Sequence, residues 1–92
     1  MMVIEQKPLF KRTYKKLYPA QKKIVNAEIR KIAANPEIGV QKKQDLKDIF
    51  VHKFKMEDRQ YLLAYMFDPS TLTLVFLGVH ENYYRDLKRR LY

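Results

Sequence analysis

Ninety-two residues suffice for one hydrophobic core and one site, and 47% hydrophobic with 32% charged residues predicts a single folded domain over residues 1–92 and excludes a disordered tract. No cysteine is present and only two histidines, which excludes disulfides, thiolate chemistry and cysteine-ligated zinc; neither a metal nor a cofactor is expected. Nineteen Lys and Arg against 10 Asp and Glu leave a formal charge of +9, so the expected partners are polyanions: nucleic acid, an acidic protein that masks the charge, or both.

The opening "MMVIEQKPLFKR" lacks the apolar centre of a signal peptide, and the longest apolar run, residues 72–79, is far below membrane-spanning length. A cytoplasmic protein with no membrane partner is expected. Residues 2–6 predict a short strand ended by Pro8, which suits the first position of a helix because its missing N–H costs nothing there. Phe10, Thr13, Tyr14 and Leu17 then recur at helical spacing, with Lys11, Arg12, Lys15 and Lys16 on the other side. "YP" at 18 and 19 breaks this helix, and a second starts at Pro19, carries Val25, Ile29, Ile32 and Ala33 on one face, and stops at Asn35 because the residue before Pro36 avoids helical geometry. The two form a helical hairpin.

Residues 37–48 show no period and are expected to form a loop with at most a short extended piece. Alternation in "FVHKFKM" then predicts a strand, "EDR" a turn, "QYLLAYMF" a second strand, "DPS" a turn and "TLTLVFLGV" a third strand, so that three antiparallel neighbours form a meander. "ENYYRDLKRRL" predicts a closing helix with Asn82 as N-cap and Tyr83, Leu87 and Leu91 stacked along it. The fold class is α+β: N-terminal strand, helical hairpin, three-stranded antiparallel meander, C-terminal helix.

On the first meander strand a period of two puts Phe50, His52, Phe54 and Met56 on the core face, which makes His52 structural, and turns Lys53 and Lys55 outward about 7 Å apart. That spacing suits neighbouring phosphates; a solvated sheet face is the alternative. On the third strand Leu72, Leu74, Phe76, Gly78 and His80 share one parity. A bulge at Gly78 would re-aim His80, so parity alone leaves its direction open between the surface and a site. Tyr84 follows His80 by four residues, and a ring there can stack on a base.

This element order, with "DIFVHKFK", "YLLAY" and "LGVHENYYRDLKR", resembles the RelE/ParE superfamily of bacterial toxins over nearly the whole chain, most strongly from Asp45 to Arg90. The segment "GVHENYYRDLKR" is similar to the RelE/StbE branch, whose members are messenger-RNA interferases. The resemblance implies a toxin of a type II toxin–antitoxin pair, a ribosome-dependent endoribonuclease whose partners are the ribosome, messenger RNA and an acidic antitoxin. By position Lys53 and Lys55 match the family's two strand lysines. His80 matches an arginine two residues after a glycine, which one relative replaces by histidine, and Tyr84 matches an aromatic four residues beyond it. The family's second-strand arginine corresponds to Leu62, so that phosphate contact is expected from Arg59, or from Arg85, Arg89 and Arg90.

The chemistry implied is metal-independent. Attack by an RNA 2′-hydroxyl needs a base, cations to stabilise charge at phosphorus, and an acid for the departing 5′-oxygen. Imidazole, with an ordinary pKa of about 6.5, serves as either acid or base near neutrality, which points to His80, with Glu81 as an alternate base. Two other readings remain open: a gyrase inhibitor of the same fold, and a non-catalytic basic nucleic-acid-binding module.

Overall fold

The computed structural model describes residues 2–42 and 48–79. In chain order these form β1 (Val3–Gln6), α1 (Pro8–Lys15), α2 (Pro19–Ala34), a single 3₁₀ turn (Pro36–Ile38), β2 (Val40–Gln41), β3 (Phe50–Met56), β4 (Arg59–Phe67) and β5 (Thr71–Val79). The expected closing helix, with Asn82, Tyr83, Leu87 and Leu91, lies outside the described residues.

The architecture is α+β. β3, β4 and β5 form the expected antiparallel meander, which is the middle of a five-stranded sheet ordered β1-β5-β4-β3-β2. β1 pairs in parallel with β5, Val3 opposite Thr71 through Gln6 opposite Leu74. The stretch read as a loop, residues 37–48, begins inside the 3₁₀ turn and then forms β2, whose two residues pair with Phe50 and Val51.

Both helices start as their prolines dictate. Lys7 and Tyr18 are extended, Pro8 and Pro19 take the first turn, and the Tyr18 N–H donates to Gln21 Oε1 at 2.8 Å. α2 ends where Asn35 precedes Pro36. The hairpin is tied by Tyr14, whose hydroxyl donates to Asn26 Oδ1 at 2.7 Å while Lys22 Nζ lies 5.5 Å from its ring centre. Phe10, Val25, Ile29 and Ile32 pack onto Phe54, Met56, Leu63, Tyr65, Leu72, Leu74 and Leu77, forming the main core on one face of the sheet. Burying Phe10 almost completely is worth roughly 1.5–3 kcal/mol. Tyr65 ties the 3₁₀ turn to this core: its hydroxyl donates to the Pro36 carbonyl at 2.6 Å and accepts the Gly39 N–H at 3.0 Å. A Cβ on Gly39 would lie 2.6 Å from that hydroxyl and 2.8 Å from the Val51 carbonyl oxygen, so the close approach requires glycine.

The sheet's other face is also apolar. Ile49, Val51, Leu62, Ala64, Val75 and Phe76 form a second buried cluster there, with Leu9 and Met66 against it. Val51 is therefore a core residue rather than part of a solvated face, and only the hairpin end of β3 turns charge outward on that side.

Two register features differ from the expected alternation. Ala64 pairs with Phe76 but Tyr65 pairs with Leu74, so Val75 is an extra residue in a β-bulge. Leu72 and Leu74 consequently face the helices, whereas Phe76 and Gly78 face the opposite side with Lys53 and Lys55; the single parity drawn through all four is broken at Val75, not at Gly78. The β3–β4 turn is also shorter than "EDR". Glu57 and Asp58, with φ of 53° and 63°, form a two-residue turn of the handedness that matches strand twist, and Arg59 is already paired with Met56. Gln21 of α2 secures it by donating to Glu57 Oε1 at 2.5 Å.

Candidate nucleic-acid interface

Residues directly opposite in an antiparallel ladder share a face, so the register fixes the rows on the side away from the helices. One row runs Val51, Ala64, Phe76; the next Lys53, Leu62, Gly78; beyond it Lys55 lies opposite Gln60. The first is buried and the last exposed. The two ammonium groups thus stand at the wet end of an apolar strand, their α-carbons about 7 Å apart along β3. Among the described residues the ion pairs are Lys31 with Glu28 and His52 with Glu28. Lys53 and Lys55 have no acidic neighbour there.

Gly78 completes the middle row. A Cβ at this position would lie 2.6 Å from the tip of the Phe76 ring, so the ring lies over the glycine and a larger residue would displace it. β5 ends one residue later, at Val79. His80, Glu81, Tyr84, Arg85, Arg89 and Arg90 lie outside the described residues, and Val79 joins the lysine rows directly to the histidine in sequence.

The other histidine is elsewhere. His52 belongs to the helix-facing row, its Nε2 2.7 Å from Glu28 Oε1 on α2 and its ring stacked near Phe54 at 6.1 Å. Burial opposes ionisation of Glu28, but hydrogen bonds and charge from His52 and Lys31 outweigh it and hold this carboxyl below its ordinary value. Arg59 is exposed and shares its row with Met56 on the helix side, so the sheet separates its side-chain row from that of Lys53 and Lys55. Leu62, at the position of the family's strand arginine, is 1% exposed. No cation could replace it without a large desolvation cost. No group of three or more metal-ligating His, Cys, Asp or Glu residues occurs among the described residues, and no described helix is long and apolar enough to cross a membrane.

Two cations that sequence reading did not single out approach this region from α1. Arg12 and Lys16 line an open groove of about 420 Å³ between α1 and residues 76–79 of β5. Their signal was the basic side of the α1 stripe, but which strand that side would meet is a tertiary fact.

The chain matches a known family in sequence and known proteins in fold. A family model described as "ParE-like toxin of type II bacterial toxin-antitoxin system" matches residues 4–88. Among solved structures the fold is similar to a mutant of E. coli RelE in the free state, with TM-score 0.74 at 15% identity over 99% of this chain and 98% of that one. It is also similar to the isolated E. coli RelE toxin, with TM-score 0.65 at 18% identity over 98% and 99%. A chain of the intact E. coli RelBE toxin–antitoxin complex aligns with TM-score 0.66 at 16% identity over 85% of this chain and 95% of that one. No curated protein sequence matches the chain.

Proposed function

Because the chain belongs to the ParE-like toxins of type II bacterial toxin–antitoxin systems, we propose that it is a ribosome-dependent messenger-RNA endoribonuclease, neutralised by an acidic antitoxin that covers its basic surface. The observation that carries this reading is the row Lys53, Leu62, Gly78, with ammonium groups on β3 that have no acidic partner among the described residues and are aligned with the strand that leads into His80. In the proposed reaction the 2′-oxygen attacks phosphorus and the bond to the 5′-oxygen breaks, leaving a 2′,3′-cyclic phosphate. A base takes the 2′-hydroxyl proton and an acid protonates the departing oxygen. His80 fills one of these roles and Glu81 is the alternate base. Lys53 and Lys55 stabilise charge at phosphorus, Tyr84 stacks on a base, and Arg85, Arg89 and Arg90 hold flanking phosphates. Arg59, on the other row, is left a contact outside the scissile phosphate. With one histidine in the set, the site relies on a ribosome to bring the attacking and leaving oxygens into line, an effect worth several kcal/mol.

The description of the matching family as ParE-like favours a second reading, a gyrase inhibitor that binds without hydrolysis. One experiment separates them. Purified protein is added to a translating extract and to naked RNA, 5′ ends are mapped, and gyrase supercoiling is assayed in parallel. The expected result is cleavage of translated messages, little cleavage of naked RNA and unchanged supercoiling. His80→Ala should lower cleavage by about 100-fold or more, the usual contribution of a general acid or base. Intact messages with inhibited supercoiling would transfer the assignment to the gyrase reading.

A further inference from the structure

β1 covers the outer edge of β5 only as far as Leu74, where the Lys7 N–H donates to the Leu74 carbonyl and the chain turns into α1. Past that point α1 itself runs beside β5, and the groove between them is lined by Arg12, Lys16, Leu17, Tyr61, Phe76 and Gly78. Arg12 and Lys16 are exposed, one helical turn apart, with β-carbons about 5–6 Å from each other. Neither has an acidic partner among the described residues. The Phe76 ring, lying over Gly78, lines the groove toward the lysine face, and the half-buried Tyr61, in the row of Phe54, forms an aromatic wall on its helix-facing side.

The position of this groove matters as much as its charge. Lys53 is two strand spacings from Gly78, about 10 Å, on the side of β3. Arg12 and Lys16 approach the same glycine from the side of α1. Two pairs of cations with no acidic partner among the described residues therefore flank the end of β5, one on each side, and the pair on α1 has the Tyr61 ring beside it in the groove. A single-stranded polynucleotide fits this arrangement: phosphates on the cations and a base against a ring. A folded acidic protein would need no such aromatic wall beside its contacts.

We infer that Arg12 and Lys16 form a second phosphate-binding rail, which carries the RNA strand on the far side of the cleavage point from Lys53 and Lys55. Resting on the ribonuclease reading, this assigns to α1 the cationic role that Leu62 leaves vacant. The two are positioning residues; they contact flanking phosphates and transfer no proton.

The test uses a short 2′-O-methyl RNA, which cannot be cut, and measures its binding to the whole chain across a salt series. Arg12→Ala/Lys16→Ala is compared with Lys23→Ala/Arg30→Ala, which removes the same charge from exposed α2 positions. Thermal unfolding checks that each variant folds. The groove variant should lose roughly 0.7 from the log–log salt slope for each cation removed, and the α2 variant much less. On translating ribosomes the groove variant should raise KM more than it lowers kcat. Equal slopes for the two variants would overturn the assignment even if the wild type cuts messages efficiently, as would a defect confined to binding of an acidic protein. Conversely, a slope change specific to the groove variant in a protein that cuts nothing would keep the rail and remove the ribonuclease reading.

Discussion

Glu28 is the hinge of the helix–sheet contact: its two oxygens hold His52 at 2.7 Å and Lys31 at 3.0 Å. The carboxylate is desolvated by the surrounding packing, yet the donors around it prevail and its pKa falls below the ordinary 4.5. A group with a depressed folded-state pKa contributes stability that is present above its unfolded value and disappears as pH falls through the folded one. Glu28→Gln should therefore be less stable than the wild type at neutral pH and should lose less on acidification. Urea unfolding from about pH 6 down to about pH 3 should show a flatter acid limb in the variant. Parallel limbs would mean that Glu28 is not what the acid titrates. His52 is spent on this contact, which leaves the other histidine as the candidate for proton transfer.

At the scale of elements, β5 divides its labour at Val75. Before the bulge its even-numbered residues serve the helical core; after it they serve the lysine face. Because the partners on either side, Leu74 with Tyr65 and Phe76 with Ala64, are consecutive in the ladder, removing Val75 restores regular pairing without turning any other side chain over. Deletion of Val75 should thus give a folded protein, weaker by roughly 1.5–3 kcal/mol for the lost buried valine and still active. An unfolded product in circular dichroism would show that the bulge is needed to close the sheet. None of this was legible in the sequence. Apolar residues at both parities of "TLTLVFLGV" hide an extra residue, because alternation carries no signal when both faces are buried. The helices were legible, since Pro8, Pro19 and Pro36 punctuate periods that contain few ambiguous residues. So was the lysine pair, because alternation in "FVHKFKM" contrasts charge with aromatic rings. Arg59 was read as a turn residue rather than the start of β4 for a local reason: two consecutive residues with positive φ, neither a glycine, make a tighter turn than "EDR" suggests.

The molecule as a whole carries +9, yet the charge is not uniformly useful. Lys53→Ala/Lys55→Ala should weaken association with ribosomes and flatten its salt dependence, because each phosphate neutralised by a side chain releases about one counterion. Retained affinity with an unchanged slope would reduce the pair to a solvated face. Overall charge would steer the protein to any polyanion; this variant tests whether the rows of β3, β4 and β5 decide where the contact forms.

The parallel pairing of β1 with β5 also sets an order in time. Val3 and Ile4 leave the ribosome ahead of all other described strands, but the segment they pair with, Thr71–Leu74, is made after every other described element. Closing so long a loop is slow, and the edge waits unpaired while the helices and hairpin form. Until β5 emerges the row of Lys53 and Leu62 lacks Gly78, and the α1 groove lacks its far wall. Both cationic surfaces of this toxin are thus completed last, and by the same strand.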